Sequence, residues 1–325
     1  MDEKNKLSEC PICNQRAAPF FAVPCDYRKP VNPVAYNVDW CNNCGYGQVR
    51  VRPSKTEISS FYELDNYYTH NISNTNKYEQ KIYFLDRLRT HISWRFDNGV
   101  ELSPLDATSL LKDGGLNICE IGCGNGSNLV KFLDKGFSVT GVDPDPAARQ
   151  AAKASIKNIF DGTAEELPEV VLNNKYDVVL MSHVLEHCLD INTAVLNVKR
   201  ILKKGGVFIV ETPNCDSYGF KDYQGGWPWT DIPRHLNFFT PSSLNSILMK
   251  YDFRVITTKY RGFCRQFSNS WLEEEEKIGK AFASCNIEMT SQPNYKLRAW
   301  RLLFKSIFSS RALKYDSVRL IAVNL

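Results

Sequence analysis

The chain has 325 residues, of which 43% are hydrophobic, and a formal charge of only +4. That length accommodates one large domain plus an accessory module, and that charge argues against a nucleic-acid partner. No apolar run approaches the roughly 20 residues of a membrane span, and the opening stretch MDEKNKLSEC lacks the apolar core of a secretion signal, so a cytoplasmic location is expected.

Residues 1–55 are rich in Cys, Pro and aromatics. The chain holds 11 cysteines, a high and odd count that in a reducing compartment points to metal ligands rather than disulfides. Cys10-Pro11-Ile12-Cys13 and Cys41-Asn42-Asn43-Cys44-Gly45 form two C-x-x-C knuckles. Asn14 and Gly45 follow them at positions where a tight left-handed turn is common. Four thiolates make a closed tetrahedral zinc site, structural because it keeps no open position. The gap between the knuckles calls for an intervening loop or hairpin. Cys25 lies in that gap and could replace one ligand; the alternative is reduced cysteines packed in a small core. Cys119, Cys123, Cys188, Cys215, Cys264 and Cys285 are scattered and read as small apolar residues. Cys123 differs in lying within a glycine loop.

Residues 56–112 carry helical periodicity and the tyrosines Tyr62, Tyr67, Tyr68 and Tyr78. They are expected to form a helical lid, in which the aromatic rings either close over a ligand or pack the lid itself. From Leu116 strands and helices alternate, the pattern of a mostly parallel sheet covered on both faces. The strand segments are LNICEIG, FSVTGVD, a short piece of IFDGTAEELP, YDVVLMSH, VFIVETPN, FRVITTKY and VRLIAVNL. Helices are expected over SNLVKFLDKG, from Pro146 to Ile156, from Ile191 to Leu202 with a stop at Lys203-Lys204-Gly205-Gly206, and over PSSLNSILMKYD. A helical insertion is expected at about 263–315.

CEIGCGNGSN joins the first of these strands to the first helix. A strand, a glycine loop and a helix N-terminus form a ligand site at the carboxyl end of a parallel sheet. The dinucleotide loop is G-x-G-x-x-G, whereas the spacing here is E-x-G-x-G-x-G through Glu120, Gly122, Gly124 and Gly126. Asp143 closes the second strand, where an acid accepts both hydroxyls of a ribose.

This loop resembles the cofactor loop of class I S-adenosylmethionine-dependent methyltransferases. Later blocks resemble the family's motifs in order: GTAEELP the loop over the adenine, YDVVLMSHVLEH the fourth strand and its functional end, LKKGGVFIVETPN the fifth-strand block. RHLNFFTPSSL is similar to a segment of zinc-ribbon methyltransferases, many of them from surface-polysaccharide and sugar-modifying gene sets. The resemblance implies an α/β fold, a seven-stranded Rossmann-like methyltransferase sheet with helices on both faces, beside a small zinc ribbon held by four cysteines. It implies cofactor contacts from Glu120, Gly122, Cys123, Gly124, Gly126, Asp143, Pro144, Thr163, Ala164 and Ser182. Thr163 stands where the family often has Asp, which leaves backbone groups of Thr163 and Ala164 to edge the adenine, with Asp161 as a substitute acid.

Methyl transfer to oxygen needs little acid catalysis but is helped by a general base. His235 is the leading base and His183 the second, with local capping or packing as the alternative, and as the preferred reading for His187. A sharper alternative sets His183, Glu186 and His187 on one helical face and adds His235 as a four-ligand catalytic metal site. This resembles the E-x-x-E-H of some metal-dependent methyltransferases, with His183 in place of the first acid. Trp227 and Trp229 either stack on a sugar ring or plug the loop beside His235.

WLEEEEKIGKAF reads as a solvated helix face. Residues 295–314 read as an amphipathic stripe of Leu297, Trp300, Phe304, Ile307 and Phe308 with basic residues between. It either contacts a membrane surface or packs on protein. The expected reaction is S-adenosylmethionine-dependent methylation of a hydroxyl on a carbohydrate-type small molecule or surface-glycan precursor. The alternatives are an RNA methyltransferase gripping its substrate through Arg16, Arg28, Lys29, Arg50, Arg52 and Lys55, a C-methyltransferase of a keto-sugar, and a module that binds the cofactor without turnover.

Overall fold

The computed structural model describes residues 8–30, 33–61, 84–111, 116–285 and 293–325. Tyr62, Tyr67, Tyr68 and Tyr78 fall outside these residues. Eleven strands run in chain order: β1 Ala18–Val23, β2 Tyr36–Cys41, β3 Tyr46–Val49, β4 Asn117–Ile121, β5 Ser138–Val142, β6 Ile159–Phe160, β7 Tyr176–Ser182, β8 Leu202–Pro213, β9 Asn237–Phe239, β10 Phe253–Arg261 and β11 Ser317–Asn324.

Seven of them form one sheet in the order β10-β11-β8-β7-β4-β5-β6. β6, β5, β4, β7 and β8 are parallel, and β11 lies antiparallel between β8 and β10. This is the Rossmann-like sheet expected from the sequence. Its central strands are apolar on both faces because helices cover both: Ile118, Val178, Leu180, Val207 and Ile209 pack to one side, and Cys119, Val179, Met181, Phe208 and Val210 to the other. Helix starts are set by side-chain caps. Asp145 accepts from the Ala147 N–H at 2.8 Å ahead of the helix Pro146–Lys153, and Asp190 accepts from Asn192 at 2.9 Å ahead of Ile191–Ile201. The helix Ile191–Ile201 stops just before the Lys-Lys-Gly-Gly run, as expected, and the run itself lies inside β8. Gly205, at φ 75°, lets the strand bend there and stay paired with β7 across a register shift.

The second sheet has the order β1-β2-β3-β9. Its first three strands come from the cysteine-rich segment, but β9 belongs to RHLNFF, where no strand was expected. Three residues are too few for periodicity to register, and the partner is remote: the Tyr46 hydroxyl donates to Asn237 Oδ1, 191 residues away, at 2.5 Å.

Arg234 secures this junction. Its buried guanidinium reaches Asp26 at 2.6 Å and Asp231 at 2.9 Å. Asp231 also pairs with Arg28 at 3.1 Å. The four-glutamate helix, Asn269–Cys285, closes the same junction with one face while its other face meets solvent. Glu274 accepts from the Tyr27 hydroxyl at 2.8 Å, and Glu275 is buried and accepts from Trp271 Nε1 at 3.1 Å. Arg234→Met leaves two buried carboxylates without their shared cation. It is expected to cost about 3–5 kcal/mol in urea unfolding, whereas Lys277→Met on the exposed side of the glutamate helix should cost less than about 0.5 kcal/mol.

Candidate active site

β4 lies between β5 and β7, and the chain leaves it toward β5 before returning to β7 on the other side. The crevice at such a switch point is where a parallel α/β sheet binds its ligand. The glycine loop fills it, with Gly122, Gly124 and Gly126 at φ 70°, 52° and 78°. A Cβ on Gly122 would lie 2.3 Å from Val184 Cγ2, so glycine is required for the turn after β7 to pack against the loop. A Cβ on Gly124 would meet no protein atom within 4 Å; that glycine borders open space. Asp143, at the end of β5, accepts from the Gly124 N–H at 2.8 Å and from the Asp145 N–H at 2.9 Å. Burial raises its pKa, and those two N–H groups hold the rise in check. Glu120 is buried, accepts from Asn128 Nδ2 at 2.8 Å through one oxygen, and has no partner on the other. Burial, with a smaller contribution from Asp143, pushes its pKa up to about 8. An orphaned buried carboxyl oxygen, an open glycine edge and a buried acid at the next strand end suit a ligand with a cationic amine and a ribose.

The other expected cofactor residues surround this crevice unevenly. Cys123 turns its thiol into the core against Gly141. Pro144 is exposed, and Ser182 is half-buried opposite Glu211. Thr163 donates its N–H to Glu166 O and accepts from the Glu166 N–H through Oγ1, so both groups are used within its own turn. The Ala164 carbonyl accepts from Asn197 at 2.9 Å. Asp161 is exposed and paired with Arg149 at 2.8 Å.

The turn after β7 carries the histidines. His183 has φ 57° and is not helical, so it does not share a helical face with Glu186 and His187, which lie in the short 3-10 turn Leu185–His187. The His183 ring sits between two buried carboxylates, Nδ1 at 3.1 Å from Glu186 and Nε2 at 3.2 Å from Glu211, and stacks on Trp229 at 5.2 Å. Burial opposes its charge, but Glu186 and Glu211 outweigh burial and raise its pKa to about 9. A ring held as imidazolium has no lone pair to accept a proton.

His187 and His235 are turned the other way, their rings meeting edge-on at 4.6 Å. His187 Nδ1 lies 3.0 Å from the Arg234 carbonyl, and His235 Nδ1 lies 2.7 Å from the Trp229 carbonyl. A carbonyl only accepts, so each Nδ1 carries the proton and each Nε2 is left as the ligating or basic atom. Burial, then His187, lowers the His235 pKa to about 4, keeping it neutral. One ligand atom each from Glu186, His187 and His235 lies within 4.8 Å of the others. Glu186 Oε2 is buried without a hydrogen-bond partner. Three of the four expected metal ligands therefore converge, and the fourth, His183, has become their counter-ion.

A family model described as a methyltransferase domain matches residues 85–258, more than half of the chain. The chain belongs to the methyltransferase domain family. It is an S-adenosylmethionine-dependent methyltransferase. Similar proteins include the ubiquinone biosynthesis O-methyltransferase of Bradyrhizobium sp. (strain ORS 278), 28% identical over 51% of this chain and 69% of that protein. The enzymes of the same name from Azorhizobium caulinodans and Rickettsia akari are 31% and 28% identical, over 46% and 43% of this chain. The chain spans 63% and 59% of their lengths. Solved structures with a likeness include YcgJ of Bacillus subtilis, with a TM-score of 0.47, 14% identity and coverage of 66% of this chain and 94% of that one. A second is an S-adenosylmethionine-dependent methyltransferase of Archaeoglobus fulgidus, with a TM-score of 0.46, 18% identity and coverage of 74% and 94%.

Outside the family match, this methyltransferase gathers Cys10, Cys13, Cys41 and Cys44 within 4.8 Å. The knuckles turn as expected. Asn14 and Gly45 have φ 59° and 73°, and their N–H groups donate to the carbonyls of Cys10 and Cys41 at 2.9 Å. A hydrogen bond with Cys44 lowers the Cys10 pKa to about 5 and drives that of Cys44 up. Cys25 is not in the cluster; its sulfur lies 2.7 Å from that of Cys285. Arg28, Arg50 and Arg52, offered above to RNA, are bound internally to Asp231, Asp39 and Asn237. Trp227 is buried as a plug, and the half-buried Trp229 ring stacks with His183 and lies under the Arg265 guanidinium. The sequence did not point to Glu211, Asn237 or Asp316, which position these groups; each is an ordinary polar residue at a strand end.

Two outcomes follow for this methyltransferase. Gly124→Ala should cost only about 1 kcal/mol of stability from its positive φ, yet weaken binding of S-adenosylhomocysteine by about tenfold or more in calorimetric titration. Gly122→Ala should in addition destabilise the fold by about 2 kcal/mol or more, because Val184 must move. The raised pKa of His183 makes a stability contribution that is complete below about 6.5 and is lost as pH rises through about 9. Urea midpoints should fall over that interval, by at most about 1.4 kcal/mol per pH unit, and His183→Gln should flatten that part of the profile.

Proposed function

We propose that this methyltransferase acts on oxygen, transferring the methyl group to one hydroxyl of a carbohydrate-type acceptor that presents a second hydroxyl beside it. One observation carries the reading: Val184 packs on Gly122, which sets the turn bearing Glu186 and His187 directly against the cofactor loop, and His235 joins them from another part of the chain. Glu186, His187 and His235 would hold a divalent ion. Two imidazoles and one carboxylate suit a first-row transition ion better than magnesium, which prefers oxygen. Such an ion, when bound, acts as a Lewis acid that lowers the pKa of an oxygen ligand, and S-adenosylmethionine, when bound, supplies the methyl group on a sulfonium.

The chain's own residues do the positioning. The carbonyls of Arg234 and Trp229 fix both ring tautomers, so each Nε2 is presented without a proton. His183 balances the charge of Glu186 and Glu211. Asp143 would take the ribose diol, and Glu120, with its unpartnered oxygen, the methionine amine. A hydroxylated aromatic ring is the second reading, favoured by the relatives named for ubiquinone biosynthesis. Both acceptors share adjacent hydroxyls. The cysteine cluster would hold a structural zinc, which separates the two metal sites by ligand chemistry.

Turnover of labelled S-adenosylmethionine, run against sugar nucleotides, glycan fractions and catechols with and without a chelator, tests this. Glu186→Ala and His235→Ala should retain S-adenosylhomocysteine binding and lose about 10²-fold or more in rate. Each should also lose one metal equivalent while the cysteine-bound zinc stays. A His235→Ala protein with full metal content and lost rate would return His235 to the role of general base. Unchanged turnover in both variants would remove the cluster from the reaction.

A further inference from the structure

The helices Phe84–Arg95 and Tyr295–Ser306 lie side by side. Lys296 Nζ is 2.9 Å from Asp86 Oδ2, and farther along the rings of Phe96 and Phe308 meet edge-on at 5.7 Å. The inner faces are spoken for: Arg89 and Ser93 on the first helix, and Ala299, Leu302 and Leu303 on the second, are buried. The outer faces set large apolar side chains among their cations, where a helix that simply ends at water is polar. Phe84 is 77% exposed, Leu85 60%, Trp94 66%, Phe304 66% and Phe308 88%. The sequence left residues 295–314 open between a membrane contact and packing on protein. The segment packs on protein through Ile307 and leaves Phe304 and Phe308 on the outside.

Charge decides what covers such a face. Leu297, Arg301, Phe304 and Phe308 are spaced i, i+4, i+7 and i+11, so an exposed arginine shares the apolar stripe. Arg87 and Arg95 are exposed on the first helix. Among the described residues, neither helix exposes a carboxylate. Asp86 is buried and bonded to Arg89 and Lys296, and Tyr295–Ser306 contains no acid. A second copy would bring cations against cations. Aromatic and leucine side chains ringed by arginine match the boundary layer of an anionic bilayer, where rings enter the acyl edge and guanidinium groups meet phosphates. No helix among the described residues is long and apolar enough to cross a membrane, so the contact is one of lying on the surface.

We propose that the face shared by these two helices docks on an anionic lipid surface, independently of which acceptor is methylated. The test is co-sedimentation of the full chain with vesicles of phosphatidylcholine alone and of phosphatidylcholine mixed with phosphatidylglycerol. The protein should follow the anionic vesicles, release with added salt, and stay in solution with the neutral ones. The pair Phe304→Ser and Phe308→Ser should weaken partitioning by about tenfold or more, and the pair Arg87→Glu and Arg301→Glu by about tenfold or more as well. Both pairs should keep S-adenosylhomocysteine binding, which shows that they fold. Failure to follow anionic vesicles, or retention unchanged in both pairs, would overturn the proposal. So would a dimer in light scattering that the phenylalanine pair converts to monomer without any vesicle binding; that result would assign the face to a second copy.

Discussion

Arg234 is the cation on which the candidate site depends. It is buried between Asp26, from the cysteine-rich segment, and Asp231, from its own loop. Its carbonyl fixes the tautomer of His187, and its neighbour His235 enters the same cluster. Next in sequence, Leu236 donates its N–H to the Glu186 carbonyl at 2.8 Å, and Asn237 donates to the carbonyls of Leu185, Glu186 and Cys188. Four consecutive residues thus bind the loop to the turn that packs on the cofactor site. A guanidinium is suited to this because its fork can satisfy two carboxylates at once and keeps its charge when buried.

That arrangement gives the small cysteine-bearing sheet a role beyond its own stability. β9 is at once its fourth strand and the continuation of the His235 loop. Arg52 reaches Asn237 at 2.7 Å and the Leu236 carbonyl at 3.0 Å, so the sheet supports the catalytic side through hydrogen bonds as well as strand pairing. A metal in the four-cysteine cluster would brace the hairpin that carries these contacts. The helix Asn269–Cys285 seals the same junction from outside through Tyr27 and Glu274.

The electrostatics divide the histidines by function. His183, clasped by two carboxylates, is held charged; His235, buried against a carbonyl, is held neutral. Glu211 extends the first environment into a buried network, pairing with Arg261 at 2.6 Å and with Arg319 Nε at 2.7 Å, while Arg319 also reaches Asp106. Opposed shifts of this kind mark the region as a candidate functional site.

Local sequence sufficed where the chemistry is local. The apolar runs of β4, β7 and β8 can only be buried strands, the spacing of Gly122, Gly124 and Gly126 can only be a tight loop, and each C-x-x-C pair makes its own turn. Those segments determined the large sheet, the cofactor crevice and the cysteine knuckles. Tertiary structure alone decided the rest. β9 is too short to show a period, and its partner lies in the first fifty residues. The glutamates of Asn269–Cys285 look solvated until Tyr27 is brought to Glu274 and the fold buries Glu275. His183 has the same side chain as His187 and His235, but Glu186 beside it is joined by Glu211, brought from β8, in favouring its charged form. Side-chain type fixes which bonds a residue can make, but its charge and partners depend on what the fold carries to it from far along the chain.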